Sequence, residues 1–216
     1  MTLKAIYIYT DDAGRPVLRK CRNEPGRHGQ AKGFSVQAAY FKAGLLRWGG
    51  RSGSLAKYQP EWGKKVLYNL PVVLDALTYN KPVVIAEGER DADLIAALKK
   101  VATTTNHQGI NVFNPEQAAW FARPRCTSTI HIVMDDDDPG FVGGWVKYAA
   151  LTAAGVPASR LRLHLPPKGY NDVTEACAER GLGGLLLRRV APRVADRRAT
   201  AVGTTERVRD YEKKAS

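Results

Sequence analysis

The stretch TIHIVMDDDDPG, Thr129 to Gly140, joins an apolar run to four consecutive aspartates and a Pro-Gly pair. The apolar run is typical of a buried strand. Four adjacent carboxylates repel one another at neutral pH, so something must offset that repulsion. Bulk water, the N-terminus of a following helix and a bound metal ion are the three candidates.

Around this stretch, from Lys81 onward, short apolar segments alternate with amphipathic ones. The predicted strands are PVVIA (82–86), VATTT (101–105), TIHIVM (129–134) and LRLHL (161–165), with helices between and after them. Strands that alternate with helices predict a parallel sheet covered on both faces, which is the α/β class. In such sheets, sites form beyond the carboxyl ends of the strands.

Acidic residues follow two of the predicted strands. Glu87 comes after PVVIA, and Asp135 and Asp137 come after TIHIVM. Asp135 and Asp137 are two positions apart on an extended chain and therefore share a face. Three converging carboxylates predict a Mg²⁺ or Mn²⁺ site, because hard oxygen ligands suit these ions. The alternative is that Asp137 and Asp138 cap the following helix while the other two aspartates are solvated.

Two other uses of the aspartates are disfavoured by spacing. A calcium-binding EF-hand loop that begins at Asp135 needs Asp or Asn where Pro139 stands and Glu where Val146 stands. An aspartyl-phosphate phosphatase motif also meets Pro139 where Thr or Val is expected. Neither motif is therefore predicted.

The chain is basic, with a formal net charge of +12, and the charge is uneven. Residues 1–80 carry 13 Lys and Arg against 5 Asp and Glu, residues 81–180 carry 11 against 12, and residues 181–216 carry 9 against 4. Such a balance predicts a polyanionic partner, most often nucleic acid, and the alternative is a solvated basic surface. We expect a basic β-rich subdomain over 1–80, an α/β domain over 81–184 and a basic flexible tail or linker over 185–216.

Local patterns predict three further elements. KAIYIYTD and VLRKCR, joined by the turn DDAGRP, predict an N-terminal β-hairpin. KKVLYNLPVVLDAL predicts a strand that leads into a short helix. NPEQAAWFA predicts a helix with Asn114 at its N-cap and Pro115 at its first position.

Composition also limits the location of the protein. No apolar run is long enough to span a membrane, and the N-terminus lacks the apolar core of a signal peptide. The three cysteines are Cys21, Cys126 and Cys177. They form no C-x-x-C pair, which argues against a disulfide framework or a zinc ribbon and favours a reducing cytoplasm.

Two of these acidic motifs together resemble the Toprim domain of primases, topoisomerases and related nucleases. The residues that match strand–EG(x)2D and, about fifty residues further on, strand–DxDxxG are Glu87, Gly88, Asp91, Asp135, Asp137 and Gly140. The segment ending at Gly109 resembles the turn after the second Toprim strand, without the usual Gly-Gly pair. LPPKGYND resembles a late stretch of phage-type primases through Lys168 and Asp172, although Tyr170 stands where many relatives carry an acid.

The resemblance implies a Toprim-type, Rossmann-like parallel sheet with helices on both faces, preceded by a smaller β-rich α+β basic subdomain. It implies a primase core that makes short RNA primers on single-stranded DNA from ribonucleoside triphosphates, with Mg²⁺ or Mn²⁺ as cofactor. Glu87, Asp135 and Asp137 are the implied catalytic metal ligands, and Asp172 is either a further ligand or a helix cap. We expect Asp91 to be a helix cap, with a metal ligand as the alternative.

The remaining predictions concern glycines near phosphate groups and residues that contact nucleic acid. The glycines expected to let the chain approach phosphate closely are Gly88, Gly109 and Gly140. The residues predicted to bind nucleic acid are Arg22, Lys32, Arg47, Trp48, Lys64, Lys65 and Lys168. Trp48 and Tyr68 are candidate stacking platforms for unpaired bases, with core packing as the alternative for each.

Three functions stay open: a primase, a Toprim nuclease and a non-catalytic nucleic-acid-binding accessory protein. A topoisomerase is disfavoured because no strand-transfer tyrosine domain follows. The sequence has neither zinc-ribbon cysteines nor a GxxxxGK[ST] motif. We therefore expect a separate helicase or zinc-bearing module as a further partner, and a location in the cytoplasm of a bacterium or a phage-infected host.

Overall fold

The structure is a computed structural model of the 216-residue chain. It describes residues 2–26, 30–49, 54–110, 112–180 and 187–201. The chain divides into two compact units, Met1–Pro71 and Val72–Ser216. This division lies nine residues before the boundary predicted at residue 80.

The first unit contains a four-stranded antiparallel sheet in the order β1-β2-β3-β4. Its strands are β1 (Thr2–Thr10), β2 (Pro16–Glu24), β3 (Gly33–Lys42) and β4 (Leu45–Gly49). The predicted hairpin of the first two strands is confirmed. Its turn is held by Asp11, whose Oδ1 accepts hydrogen bonds from the backbone N–H of Ala13 (3.0 Å) and of Arg15 (2.8 Å).

One apolar cluster supports this first sheet. Tyr9 and Leu18 are fully buried with Val66, and the Tyr68 ring lies 5.3 Å from the Tyr9 ring. A helix, α1 (Ser54–Tyr58), precedes the segment that contributes Val66 and Tyr68. The strand predicted in KKVLYNL (64–70) does not form, because these residues pack as turns before α2 (Leu70–Thr78).

The second unit contains a five-stranded sheet in the order β6-β5-β7-β8-β9. Its strands are β5 (Val83–Ile85), β6 (Ala102–Thr104), β7 (Ile130–Val133), β8 (Leu161–Leu165) and β9 (Arg188–Val190). The first four are parallel to one another, which confirms the predicted α/β class, and β9 joins as an antiparallel edge. The helices are α3 (Glu89–Lys99), α4 (Pro115–Ala118), α5 (Asp138–Ala153), α6 (Val173–Arg180) and α7 (Pro192–Ala201).

Burial explains why these short strands form. Ile85, Ile130 and Ile132 are inaccessible to solvent, as expected for strands covered on both faces. Each such side chain contributes about 1.5–3 kcal/mol by leaving water. The predicted start of α4 is confirmed, since its first position is a proline and the backbone N–H of Asn114 donates to the side chain of Gln117 (2.9 Å).

The C-terminal region departs from the prediction of a flexible tail. Residues 187–201 are its described part, and they form β9 and α7. β9 pairs with β8, α7 packs against α5, and Ala195 is fully buried. The sequence concealed this because the segment is rich in arginine and its buried side chains are few and small.

Within the described ranges, no helix has both the length and the apolar character that a membrane crossing requires.

Candidate functional site

Two of the predicted site residues meet where neighbouring parallel strands end. Glu87 lies two residues after β5, and Asp135 lies two residues after β7, and these strands are hydrogen-bonded neighbours. The backbone N–H of Asp135 donates to Glu87 Oε2 at 3.2 Å. The carboxyl ends of the two strands thus place both acidic residues at the same edge of the sheet.

Asp91 and Asp172 lie close enough to influence this pair. Asp91 is in the first turn of α3, and Thr174 of α6 donates its hydroxyl to Asp91 Oδ1 at 2.8 Å. Asp172 Oδ1 accepts from the backbone N–H of Glu175 at 2.6 Å, so it also holds the start of α6. We refer to Glu87, Asp91, Asp135 and Asp172 as the acidic cluster.

Asp91 therefore has a different position from the one expected. The residue at the N-cap of α3 is Gly88, and no side chain caps that helix. Asp91 sits three positions further on, where the α3 backbone is already helical and its side chain reaches Thr174. Asp91 is the last residue of the EG(x)2D match. The motif therefore pointed to Asp91 as a member of the site, whereas its position near the start of α3 favoured the prediction of a helix cap.

Mutual repulsion and burial dominate the electrostatics of the acidic cluster. Burial, together with the negative charges of Glu87, Asp91 and Asp172, raises the pKa of Asp135 to about 9. Burial also raises the pKa of Asp91 to about 6, against the hydrogen bond from Thr174. Without a counter-ion, part of the cluster is therefore protonated at neutral pH.

Lys147 is a site residue that the sequence did not reveal as functional. It lies on α5 with only 1% of its surface exposed. Burial lowers its pKa, while the charges of Glu87 and Asp135 raise it. Its buried amino group therefore lies within electrostatic range of Glu87 and Asp135. The available signal was a single lysine in the otherwise apolar middle of a predicted helix.

Asp137 has a different role in the structure from Asp135. It is the N-cap of α5, and its Oδ1 accepts from the backbone N–H of Gly140 at 2.7 Å. The alternative of helix capping thus describes the contact that Asp137 makes, and its predicted role as a metal ligand stays a prediction.

The three predicted turn glycines differ in what the backbone requires of them. A Cβ on Gly140 would lie 2.4 Å from the carbonyl oxygen of Asp135, so only glycine fits there. Gly109 has φ +91°, which favours glycine. Gly88 is extended, with φ −131°, and a Cβ there would meet only an Asp91 oxygen at 3.8 Å. The backbone at Gly88 therefore does not itself require glycine, and its predicted role in phosphate approach stays a prediction.

The acidic cluster suits a hard divalent cation by its chemistry. All four side chains offer carboxylate oxygens, and the raised pKa values of Asp135 and Asp91 record negative charge that a cation would neutralise. Within the described part of the chain, no three His, Cys, Asp or Glu side chains are arranged so that they could hold a metal ion together. The donors therefore fit the ion in type but not as a complete protein cage. A Mg²⁺ ion at Glu87 and Asp135 would take the rest of its coordination shell from water and substrate phosphates, as is usual for this ion.

Some of the predicted nucleic-acid contacts are exposed on the first unit. Lys32, Arg47 and Lys64 are exposed to solvent. Trp48 is half-buried, and the Arg19 guanidinium lies 4.9 Å from the centre of its ring. Lys168 is exposed as well, in the second unit. These five are accessible to a polyanion.

Other predicted contacts are already engaged within the protein. Arg22 Nε donates to a Glu24 carboxylate oxygen at 2.8 Å. Lys65 lies 4.1 Å from the centre of the Trp62 ring and forms an ion pair with Glu61. Tyr68 belongs to the core of the first unit, so the packing alternative holds for it.

Comparisons with known proteins identify the fold. Neither protein-family models nor curated protein sequences gave a match. Among solved structures, the RNA polymerase domain of Mycobacterium tuberculosis primase DnaG has a TM-score of 0.56 at 16% identity, covering 94% of this chain and 62% of that one. The same domain in complex with double-stranded DNA has a TM-score of 0.50 at 16% identity, covering 87% and 53%.

A DNA primase domain from Pseudomonas aeruginosa also matches, with a TM-score of 0.54 at 14% identity, covering 85% of this chain and 51% of that one. The fold is therefore a mixed α/β fold shared with the catalytic domains of DNA primases. The chain spans between about half and three-fifths of the length of these neighbours.

Proposed function

We propose that this protein is a Toprim-type primase core, which synthesises short RNA primers on single-stranded DNA during DNA replication. The acidic cluster carries the proposal, because it lies beyond the carboxyl ends of parallel strands in a fold shared with primase catalytic domains. A separate helicase or zinc-bearing module is part of the same proposal. Because sequence identity to these solved structures is below 20%, they support a shared fold only. The proposed activity therefore rests on the acidic cluster.

The acidic cluster supplies the ligands for a divalent cation, Mg²⁺ or Mn²⁺. Glu87 and Asp135 are the proposed principal ligands, with Asp172 as a further one. Asp137 can contribute only through its second oxygen while its first caps α5. When bound, such an ion neutralises phosphate charge and favours ionisation of a primer 3′-hydroxyl.

The residues of the chain prepare the site before any ligand arrives. Glu87 fixes the backbone at Asp135 through the hydrogen bond to its N–H. Lys147 offsets part of the negative charge from the buried side. Thr174 orients Asp91. Because these partners are packed in the fold, little reorganisation is needed to form the site. Glu87 is the proposed residue for proton transfer.

Nucleic acid is the proposed partner of the basic surface. The M. tuberculosis primase domain has been crystallised with double-stranded DNA, and this chain shares its fold. Exposed Lys32, Arg47 and Lys64 offer positive charge for phosphates without sequence selectivity. The template in the proposed reaction is single-stranded DNA, and the substrates are ribonucleoside triphosphates.

The proposal is tested with labelled single-stranded DNA, Mg²⁺ or Mn²⁺, and ribonucleoside triphosphates present or omitted. We expect short ribonucleotide-containing products that Glu87→Gln and Asp135→Asn each reduce at least about 100-fold, as for loss of a group that stabilises developing charge. Glu116→Gln, an exposed acid on α4, is the matched control and should retain activity.

Two results would contradict a primase. DNA fragments that appear without ribonucleotides would make the protein a nuclease. Unchanged products in Asp135→Asn would remove the acidic cluster from the reaction. Circular dichroism of each variant separates loss of activity from loss of fold.

A further inference from the structure

The C-terminal segment contacts the aspartate run directly. We call Asp135–Asp138 the acidic turn. Arg188 of β9 donates from its terminal nitrogen to Asp136 Oδ2, and its Nε donates to the carbonyl oxygen of Pro166 at 2.7 Å. The second bond fixes the guanidinium on the edge of β8, so Arg188 approaches Asp136 from a set direction.

A second arginine reaches the same turn from α7. One terminal nitrogen of Arg198 lies 3.7 Å from Asp136 Oδ1, and the other donates to Asp138 Oδ1 at 3.2 Å. The guanidinium also lies 3.9 Å from the centre of the Phe141 ring in the first turns of α5. This ring holds the guanidinium plane and limits the positions that Arg198 can take.

The four aspartates are thereby divided between two sets of partners. Asp135 belongs to the acidic cluster, whereas both oxygens of Asp136 and one of Asp138 face arginine nitrogens. The backbone N–H of Asp136 donates to the carbonyl oxygen of Asn171 at 2.8 Å, which holds the turn in this arrangement. Neighbouring residues of one turn thus face opposite electrostatic surroundings.

Stability alone does not account for this network. The side chains of Arg188, Arg198, Asp136 and Asp138 are between 28% and 57% exposed. Partly exposed ion pairs contribute about 0–1 kcal/mol each, because water screens them. Their larger effect is on which carboxylates a divalent cation can reach, since a guanidinium both occupies the oxygens and repels a second cation.

We propose that Arg188 and Arg198 are positioning residues that withhold Asp136 and Asp138 from divalent metal and confine the metal to the acidic cluster. This inference rests on the proposed function, because it presupposes a metal there. It makes residues 187–201 part of the site, although they carry none of its proposed ligands. Of the four aspartates in the acidic turn, Asp136 and Asp138 are then not available to a metal ion.

The test measures Mn²⁺ binding to the full chain by electron paramagnetic resonance, a measurement that does not depend on enzymatic activity. We expect the Arg188→Gln/Arg198→Gln double variant to bind at least one more Mn²⁺ per chain than the wild type, or to bind it at least 3-fold more tightly. Arg189→Gln/Arg197→Gln removes the same two charges at the exposed neighbouring positions and should match the wild type. Arg198→Lys keeps the charge and should also stay close to the wild type.

Equal stoichiometry and affinity in the Arg188→Gln/Arg198→Gln variant and the Arg189→Gln/Arg197→Gln control would overturn the inference, as would weaker binding in a folded Arg188→Gln/Arg198→Gln variant. If the Arg188→Gln/Arg198→Gln variant does not fold, Asp136→Asn decides the question. It should bind Mn²⁺ with wild-type stoichiometry, and loss of an ion would show that Asp136 is a ligand. A wild type that binds no Mn²⁺ would instead refute the metal site of the proposed function itself.

Discussion

Gly140 shows that single residues of one motif have unequal structural roles. Its Cα packs so closely on the preceding turn that a Cβ would also lie 2.8 Å from the Asp135 nitrogen. The N–H of Gly140 is at the same time the donor that Asp137 accepts. Gly140 therefore sets the path of the backbone that carries Asp135. Gly88 has no comparable constraint.

Alanine substitutions at Gly140 and Gly88 should have different effects on the free energy of unfolding. Gly140→Ala should lower the free energy of unfolding by about 1–3 kcal/mol, because the new methyl group must displace the acidic turn. Gly88→Ala should change it by less than about 0.5 kcal/mol, since its backbone is extended and space is available. Urea unfolding measures both. Equal effects of the two substitutions would contradict the close approach at Gly140.

Strands β7 and β8 carry a histidine pair on neighbouring positions of the sheet. His131 Nδ1 and His164 Nε2 are 2.9 Å apart, and the rings stack with their centres 5.0 Å apart. Burial, together with the charges of His131, Arg189 and Arg162, lowers the pKa of His164 to about 4. Burial likewise lowers the pKa of His131. Both rings are therefore neutral at pH 7.

This pair should make the stability depend on pH. Between about pH 6.5 and 4, the unfolded chain binds a proton at His164 that the folded chain does not. The corresponding stability is present above pH 6.5 and is lost as the pH falls toward 4. We expect His164→Gln to reduce the loss between pH 7 and pH 5 by about 1 kcal/mol, a figure lowered for the partial exposure of the ring.

The measurement is urea unfolding of both proteins at the two pH values. The quantity to compare is the loss of unfolding free energy between pH 7 and pH 5 in the wild type and in His164→Gln. Asp91 contributes to both proteins in the opposite direction, because its pKa is raised to about 6 and its protonation stabilises the fold as the pH falls. An identical pH dependence in His164→Gln and the wild type would exclude the histidine pair as a source of the effect.

At the scale of the whole molecule, positive charge dominates. The net charge of +12 is spread over the first unit and the C-terminal segment, while the middle of the chain is nearly neutral. In the C-terminal segment, Arg188 and Arg198 are used on the acidic turn. The first unit therefore supplies the positive charge that we propose for phosphate binding.

Binding of single-stranded DNA should weaken steeply with salt. With about five phosphates contacted, affinity should fall about 100-fold between 50 and 200 mM salt, because each contact releases a counter-ion. Arg47→Gln should reduce the slope of log affinity against log salt by about 0.7. Fluorescence anisotropy with a labelled oligonucleotide measures this slope.

Lys81→Gln is the matched control for this measurement. Lys81 precedes β5, at the end of the sheet opposite the acidic cluster, and is exposed. Its substitution removes the same charge and should leave the slope unchanged. Equal slopes for Arg47→Gln, Lys81→Gln and the wild type would mean that Arg47 contacts no phosphate.

The sequence alone determined the class of the second unit and the position of its functional edge. Apolar segments of strand length alternate with helical ones, and this local pattern is sufficient to predict parallel strands. Glu87 and Asp135 each follow a strand within two residues, so their meeting required only that β5 and β7 be neighbours. The N-terminal hairpin was equally predictable from its turn residues and alternation.

The tertiary structure alone decided which charges face one another. Thr174 reaches Asp91 across 83 residues of sequence, and Arg188 reaches Asp136 across 52. Lys147 meets the acidic cluster because α5 packs on the sheet with that side chain inward. No local pattern encodes these contacts, since each depends on how separate elements pack. The strand ends supplied the carboxylates, and the packing of α5, α6, β9 and α7 determined the partner of each.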